Sequence, residues 1–348
     1  MNGRMLLLAI LAFSVGAARA RAAEPGKLPE PNGHPPVTEI RVPELEAPVA
    51  HVAEHEKAVE SGFYGTAEYL LMRPRQRGLT YALVDPVDDL TPQGRLRSVR
   101  NDLRSGLSVG LGYRFEKSGW DVAFLYTTIH SRGGDQVNAP AGGVLYPQMT
   151  RPGLTDSAQV AIADSRINYN VYDLEFGKLI HNDEHTQIRL FTGIRVASID
   201  QTVSAGYNGG LADAAFAESS SNFNGAGPML GAEMRWKMFH NLSMFGKAQG
   251  GLIYGRTRSS LVETNNGGAT LYSDVNEVFR PVVPMVGLAI GGTYTYRGLS
   301  FSAGYQVVNW FGLIQRVTLI DDFSEGRAIE QTEDLSLEGV FFRLGFQF

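Results

Sequence analysis

The sequence predicts an all-β fold: a closed antiparallel transmembrane β-barrel of about ten strands, with short periplasmic turns and long extracellular loops. Three observations predict it. Side chains alternate between apolar and polar with a period of two in many segments after residue 61. The connections between these segments alternate between short and long. Aromatic side chains of the apolar set collect beside the short turns, as at a membrane interface.

The first 22 residues have the features of a bacterial secretory signal peptide. Arg4 precedes an apolar run from Met5 to about Ala17, and Ala20-Arg21-Ala22 is a small-residue cleavage site. The run is shorter than the ~20 residues that a membrane-spanning helix needs. Because the signal carries three arginines and no acid, its removal changes the formal net charge from −5 to −8. An acidic mature chain argues against nucleic acid as a partner.

Residues 23–60 are rich in proline and charge and have almost no aromatics, which predicts a disordered periplasmic tail. The chain contains no cysteine, so its stability after export cannot depend on disulfides. The predicted organisation is therefore a signal peptide (1–22), a Pro-rich tail (23–60) and an outer-membrane β-barrel (61–348).

The alternation is clearest in 103–115, LRSGLSVGLGYRF, where odd positions are mostly leucine, valine or aromatic and even positions are arginine, glycine or serine. The same pattern predicts strands at 63–72, 120–128, 166–177, 187–196, 225–236, 242–255, 281–296, 299–310 and 335–348. Short turns are predicted at 116–119, 181–185, 237–241 and 297–298, and long loops at 74–102, 131–162, 201–222, 256–279 and 316–334. Four short and five long connections give ten strands.

Irregularities are predicted at three positions. In 166–177 the apolar parity changes, from Ile167 and Val171 to Tyr172 and later residues, which predicts a β-bulge near Val171. Pro228 and Pro284 lie inside predicted strands and lack an N–H donor, so each predicts a bulge or a local bend.

The distribution of charge predicts which side chains face outward. A membrane barrel turns its apolar face toward lipid, so the alternate set of positions that carries charge is expected to face inward. The polar parity is rich in glycine and in full charges, so these side chains are predicted to line the lumen. The predicted pore-lining residues are Glu68, Arg104, Arg114, Asp121, Arg166, Glu175, Arg189, Arg195, Glu233, Arg235, Lys247 and Arg343. The predicted membrane-interface aromatics are Tyr113, Phe115, Trp120, Trp236, Tyr294, Tyr296, Phe301, Phe346 and Phe348.

The inward set, which also includes Asp173, Arg297 and Glu338, is mildly basic, and basic rings favour anions in a pore. A weak anion preference is one hypothesis. An internal salt-bridge network that holds the barrel closed is the alternative. Closure of the barrel predicts an ion pair between Glu68 and Arg343, and hairpin geometry brings Glu175 close to Arg189.

Two motifs suggest other chemistry. Gly106-Leu107-Ser108-Val109-Gly110 matches G-x-S-x-G, but a nucleophile elbow requires a turn from a strand into a helix. The period of two continues through Ser108, which predicts an ordinary strand residue. His181 and His185 have the spacing of metal ligands, yet they lie in a predicted tight turn, which favours a solvated polar turn. No catalytic residue, metal or cofactor is predicted.

The segments GFYGTAEYLLMRPRQRGLTYALVD, SGLSVGLGYRF, YDLEFGKLI, RLFTGIRVASIDQ and FNGAGPMLGAEMRW, in this order, resemble the Legionella-type major outer-membrane, pore-forming protein family over about 61–348. The resemblance implies an outer-membrane β-barrel with a porin role and supplies no catalytic residues. The tail at 23–60 is not part of that pattern.

The sequence leaves three functions open. The first is a porin-like pore for passive diffusion of small hydrophilic solutes or ions. The second is a non-conducting structural or surface-binding barrel, because about ten strands is a marginal size for an open lumen. The third is an outer-membrane hydrolase. Expected partners are outer-membrane lipid and lipopolysaccharide, the barrel-assembly machinery through the aromatic C-terminal strand, and small solutes or ions; a homo-oligomer is a further possibility.

Overall fold

The computed structural model describes residues 61–347 except residues 90, 117 and 325. The predicted signal peptide, the predicted tail and Phe348 lie outside the described residues. The strands are β1 (Gly62–Gln76), β2 (Thr80–Asp85), β3 (Arg95–Ser98), β4 (Arg104–Arg114), β5 (Trp120–Asn138), β6 (Val144–Pro147), β7 (Val160–Asn182), β8 (Thr186–Gly209), β9 (Ala212–Phe239), β10 (Leu242–Asn265), β11 (Thr270–Phe279), β12 (Val282–Tyr296), β13 (Leu299–Leu319) and β14 (Ala328–Gln347). A short 3-10 helix covers Asn266–Gly268.

Eleven of these strands form one closed antiparallel sheet. Its order is β11-β10-β12-β13-β14-β1-β4-β5-β7-β8-β9, and pairing of β9 with β10 completes the ring. β11 and β12 pair with successive parts of β10, in a single register from Leu242 to Glu263, and are separated only at residues 280–281. They therefore occupy one position in the wall, and the predicted closed barrel of ten strands is confirmed.

The two ends of the barrel differ in their connections. Turns of two to five residues join β4 to β5, β7 to β8, β9 to β10 and β12 to β13 at what we call the short-turn end. The described chain begins and ends there, at residues 61 and 347. The opposite end is called the long-connection end. In outer-membrane barrels the short turns are periplasmic and the long connections extracellular.

The connections at 201–222 and 256–279, which were predicted to be loops, are largely strand. β8 continues to Gly209 and β9 begins at Ala212, while β10 continues to Asn265 and β11 begins at Thr270. Serine- and asparagine-rich sequence suggested loops, but here these polar residues belong to a wall that continues beyond the membrane, where its outer face meets water.

No bulge occurs near Val171, so that prediction is wrong. The register of β7 with both neighbours is continuous through Val171, and alternation of buried and exposed positions is unbroken there. Pro228 and Pro284 also cause no register shift. Instead, the β9–β10 ladder lacks pairs beside Pro228, and the β12–β13 ladder starts at Met285, just after Pro284.

The outward face of the barrel carries an apolar band next to the short-turn end. Leu107, Phe124, Leu190 and Leu252 are exposed there, as lipid-facing side chains must be in a barrel of this kind. Seven of the predicted interface aromatics are exposed at the edge of this band next to the short turns: Phe115, Trp120, Trp236, Tyr294, Tyr296, Phe301 and Phe346. Tyr113 packs between Phe63 and Phe115 at ring-centroid distances of 5.0 and 5.2 Å. Within the described residues, no helix has both the length and the hydropathy needed to cross a bilayer.

A second, smaller sheet lies at the long-connection end. It has the order β3-β2-β6 and is formed by the connections after β1 and β5. Tyr81, Ala82 and Leu145 of this sheet are buried in one cluster with Ala163 of β7 and Val203 of β8, which face inward. The two connections therefore fold against the inner surface of the extended wall.

Candidate functional site in the barrel lumen

The inward side chains form two layers of opposite polarity. Nearer the short-turn end lies the charged layer, which comprises Glu68, Arg114, Asp121, Asp173, Glu175, Arg189, Arg195, Glu233, Arg235, Lys247 and Arg343. Above it lies the apolar layer, which includes Leu70, Ile129, Ile167, Ile199, Phe223, Ile253, Met285, Trp310 and Leu337. Both layers are built from the same strands, because each strand continues through both.

Arg189 is the centre of the charged layer. Its Nε and Nη2 donate to the two carboxylate oxygens of Asp121 at 2.9 and 2.6 Å, and its Nη1 donates to Glu175 at 3.2 Å. Glu175 also accepts from Lys247 Nζ at 3.2 Å, and Asp121 accepts from Tyr64 Oη at 3.0 Å. The predicted proximity of Glu175 and Arg189 is confirmed. These charges pair with one another rather than lining the lumen as free ions.

Two further pairs brace neighbouring strands. Arg195 Nε and Nη2 donate to both oxygens of Asp173 at 2.6 Å each, and both side chains are nearly fully buried. Glu68 lies directly opposite Arg343 where β1 meets β14, and Arg343 Nε donates to Glu68 at 2.6 Å. The predicted Glu68–Arg343 ion pair is therefore confirmed, and it lies across the closure of the barrel.

Three residues that were predicted to face inward lie elsewhere. Arg166 is on the outward face of β7, opposite the exposed Arg132, so its predicted inward position is wrong. Arg104, at the start of β4, is half exposed and donates to Asp102 and to the carbonyl of Arg132. Glu338, also predicted to face inward, pairs with Arg75 on the outside. All three lie at or beyond the level at which apolar side chains change from the outward face of the barrel to the inward face.

The charged layer surrounds a chamber of about 710 Å³. Ser61, Gly298 and Gln347 line its rim, so the chamber reaches the short-turn end. A second, smaller cavity of about 90 Å³ lies next to the apolar layer and is bordered by Leu70, Met72 and other residues. The larger of these two cavities is therefore the one at the short-turn end.

The apolar layer fills the cross-section of the lumen. Nine of the ten strand positions around the barrel wall contribute a side chain to this layer. None of its buried side chains is more than 4% exposed. The tenth position, on β4, is Gly106, where a side chain would meet Ile129 and Leu70. A path wide enough for water would expose these inward side chains, so the lumen is closed at this level.

Inward glycines make room for large neighbours. A side chain at Gly231 would collide with the ring of Phe191, and one at Gly177 with the guanidinium of Arg189. Arg189 and Lys247 lie over the Phe191 ring, at 5.1 and 4.6 Å from its centroid. The glycine-rich parity therefore permits packing across the lumen rather than leaving it open.

Sequence reasoning missed the apolar layer, although its signal was present. The parity change in 166–177 marks the height at which the inside of the barrel becomes apolar and the outside polar. In β7, Ile167, Tyr169 and Val171 are buried inside, whereas Tyr172 and Leu174 are exposed outside. A membrane boundary, rather than a bulge, produces this pattern.

The other motifs occupy ordinary structural positions. Ser108 lies within β4, and its Oγ is 2.9 Å from Thr127 Oγ1 on the next strand. Asp183 accepts hydrogen bonds from the backbone N–H groups of Thr186 and His185 and bonds to His181 Nε2 at 2.8 Å. These bonds, led by that of Thr186, lower the pKa of Asp183 to about 2. Among the described residues no cluster of three metal-ligating side chains occurs.

Comparison with solved structures identifies barrels of the outer membrane. The outer-membrane protease OmpT of Escherichia coli aligns with a TM-score of 0.51 and 9% identity, covering 84% of this chain and 100% of that chain. At this identity the likeness shows the fold alone. The toluene transporter TodX of P. putida aligns at 0.38 and 11%, covering 83% and 91%, and OprG of Pseudomonas aeruginosa at 0.31 and 10%, covering 82% and 96%.

No curated protein sequence matches the chain significantly. A family profile does match: that of the Legionella pneumophila major outer membrane protein precursor covers residues 58–348. This match includes every strand described above. The ten-stranded ring with an outward apolar band agrees with residence in the outer membrane. The chain therefore belongs to the Legionella pneumophila major outer membrane protein family and is an outer-membrane β-barrel.

Proposed function

We propose that this chain is a sealed, non-conducting barrel whose lumen is a structural core and whose role is carried by its extracellular half. The observation that carries the proposal is the apolar layer, in which inward side chains from nine wall positions are almost fully buried. Interiors packed in this way leave no continuous space for solvent.

The charged layer supports the same function. Four of its acids, Glu68, Asp121, Asp173 and Glu175, pair with bases on other strands, and the Asp173–Arg195 pair is bidentate. Such pairs connect the strands of the wall. They also neutralise charges that would otherwise attract permeating ions in a selective pore. The proposal assigns no catalytic residue, since Ser108 bonds to Thr127 on a regular strand.

The extended wall supports a role at the cell surface. β7, β8, β9 and β10 each contain 23 to 28 residues, about twice the ~10 needed to cross a bilayer. Most outward positions of these strands beyond the apolar band are polar, although Ile162, Phe216 and Val278 are exposed there. The long-connection end also contains the small sheet β3-β2-β6. A surface of this size suits structural or partner-binding roles.

A porin-like pore is the second candidate, favoured by the chamber of about 710 Å³ that reaches the short-turn end. Conduction would require the apolar layer to rearrange. In that case Arg114, which lies over the Tyr64 ring and has no ion pair among the described residues, would contribute to the predicted weak anion preference.

Planar-bilayer recording of the purified barrel separates the two functions. We expect the wild-type barrel to give no single-channel steps, whereas Trp310→Ala/Phe223→Ala, which removes two large rings from the apolar layer, introduces conductance. The control variant Phe124→Ala/Trp236→Ala removes two lipid-facing rings and should stay silent. Steps from correctly folded wild-type protein would contradict the proposal, and their reversal potential in a salt gradient would then test anion preference.

A further inference from the structure

Three arginines form a cluster on the outward face of the barrel. Arg256 and Arg258 lie on the exposed face of β10, and Arg280 lies between β11 and β12. The pairs Tyr254–Val282 and Thr257–Phe279 belong to one register, so Arg256 lies opposite Arg280. The backbone N–H of Gly255 donates to the carbonyl of Pro281 at 3.1 Å, which keeps the two strands together at this level.

The positive charge of this cluster is not compensated by the described protein. None of the three guanidinium groups forms an ion pair with a carboxylate of the residues that the structure describes. The outward carboxylates of the adjacent strands, Glu218 and Asp274, both lie opposite Val262, four residues beyond Arg258. Like charges placed directly opposite each other destabilise a sheet. An anion bound between Arg256 and Arg280 would remove that penalty.

The cluster lies at the extracellular edge of the apolar band. Leu252, Tyr254 and Val282 are the outward side chains just before the cluster, and all are more than half exposed. Beyond Arg280, Val278 lies opposite Arg258 and is 41% exposed. Arg256 follows Tyr254 by two residues, which is about 7 Å along a strand. A tyrosine at this position is typical of the membrane interface. The arginines therefore lie at the height of the lipid head groups of the outer leaflet.

From this geometry we infer that Arg256, Arg258 and Arg280 bind the phosphate groups of the lipid A part of lipopolysaccharide. The guanidinium fork matches phosphate oxygens in bidentate geometry, and two opposed forks suit a doubly charged group. Asn224 and Asn222, directly opposite Arg256 and Arg258 on β9, add amide donors beside the same face. The site lies on the outside of the wall, so it does not depend on whether the lumen conducts.

A second opposed pair, Arg132 and Arg166, is a weaker candidate. Asp164 and Asp200 lie close to it on the outward face, opposite Gly134 and Asn168 respectively. It also lies six residues beyond Tyr126 and Tyr172, at ~20 Å along the strand, and so beyond the lipid head groups. The cluster above Tyr254 is therefore the assigned site.

The test is a titration of the detergent-solubilised mature barrel with lipid A, followed by native mass spectrometry of the lipid adducts. Bisphosphorylated lipid A, dephosphorylated lipid A and phosphatidylglycerol are compared. We expect the bisphosphorylated form to bind at least about tenfold more tightly than the other two lipids. Arg256→Gln/Arg280→Gln should weaken its binding by about tenfold or more, as expected for loss of charge-assisted hydrogen bonds.

The matched control is Arg95→Gln/Arg97→Gln, which removes two equally exposed charges from β3, outside the barrel wall. Its affinity for lipid A should stay within about twofold of wild type, because its charges are remote from the proposed phosphates. Circular dichroism and heat-dependent gel mobility confirm that both variants fold. Unchanged binding by Arg256→Gln/Arg280→Gln would overturn the inference, as would equally tight binding of phosphatidylglycerol or of dephosphorylated lipid A.

Discussion

The two halves of β7 have the same alternation but opposite polarity. Toward the short-turn end, Asp173 and Glu175 face the lumen, and Leu174 and Phe176 face outward. Toward the long-connection end, apolar residues such as Ile167 face the lumen, and Arg166, Asn168 and Asn170 are outward. The strand keeps its pleat and its register throughout.

The difference shows that solvent, rather than backbone geometry, sets the pattern of this wall. In the membrane the outer face meets lipid, so the polar residues must be inside and must pair with each other. Beyond the membrane the outer face meets water, so the interior is apolar, as in a soluble protein. The transition between the two regimes lies between Val171 and Tyr172.

The largest expected effect comes from breaking the buried Asp173–Arg195 pair of the charged layer. Arg195→Ala leaves Asp173 buried without its bidentate partner, and we expect a loss of about 3–5 kcal/mol in the free energy of unfolding. Urea unfolding in lipid vesicles measures it. Replacement of both residues, Asp173→Leu/Arg195→Met, should cost much less, because no charge remains unpaired. Equal losses for the single and double variants would contradict a paired, desolvated site.

A charge on the outer face should distinguish the lipid-facing half from the water-facing half. Leu174→Arg puts a guanidinium in the apolar band, where we expect a cost of about 2–4 kcal/mol. Gln136→Arg puts the same group on the exposed outer face of the neighbouring strand β5, beyond the band, where the expected cost is close to zero. Unfolding free energies of the two variants provide the comparison. Similar losses at both positions would show that the membrane boundary is misplaced.

A conservative deletion tests the packing of the apolar layer. Ile199 faces the lumen and is 2% exposed, whereas Ile194 of the same strand faces outward and is 53% exposed. Ile199→Val should lower the free energy of unfolding by about 0.5–1.5 kcal/mol, since it removes one buried methyl group. Ile194→Val should have a smaller effect, because lipid fills the space. A larger loss at Ile194 would contradict this assignment of faces.

The smallest expected effect concerns a turn that belongs to neither half. The pKa of Asp183 is lowered to about 2 by its turn hydrogen bonds. A lowered pKa contributes stability above the unfolded value and loses it as pH falls through the folded value. Asp183→Asn should therefore be less stable than wild type above about pH 4, and the difference should shrink towards pH 2. A difference that does not change with pH would show that the ionised carboxylate is not involved.

The sequence predicts the membrane half of this fold well. There the period of two, the aromatic residues and the Glu68–Arg343 pair all follow from one rule, apolar outside and charged inside. The same rule fails beyond the membrane, where it places Arg166 inside and treats 201–222 as a loop. Inward alanines and valines there, such as Ala205, give a weak apolar signal among serines and asparagines. Packing of the small sheet against them depends on contacts between distant segments, which the local pattern does not specify.

Cysteine accessibility tests the reversal of polarity most directly, because the natural chain contains no cysteine. Single variants Ile167→Cys, Asn168→Cys, Tyr169→Cys and Asn170→Cys are reconstituted in vesicles and treated with a membrane-impermeant maleimide. We predict rapid labelling at 168, slower labelling at the half-buried position 170, and protection at 167 and 169. Rapid labelling at 167 and 169 in folded protein would mean that water fills the lumen at this level, and would contradict the sealed barrel.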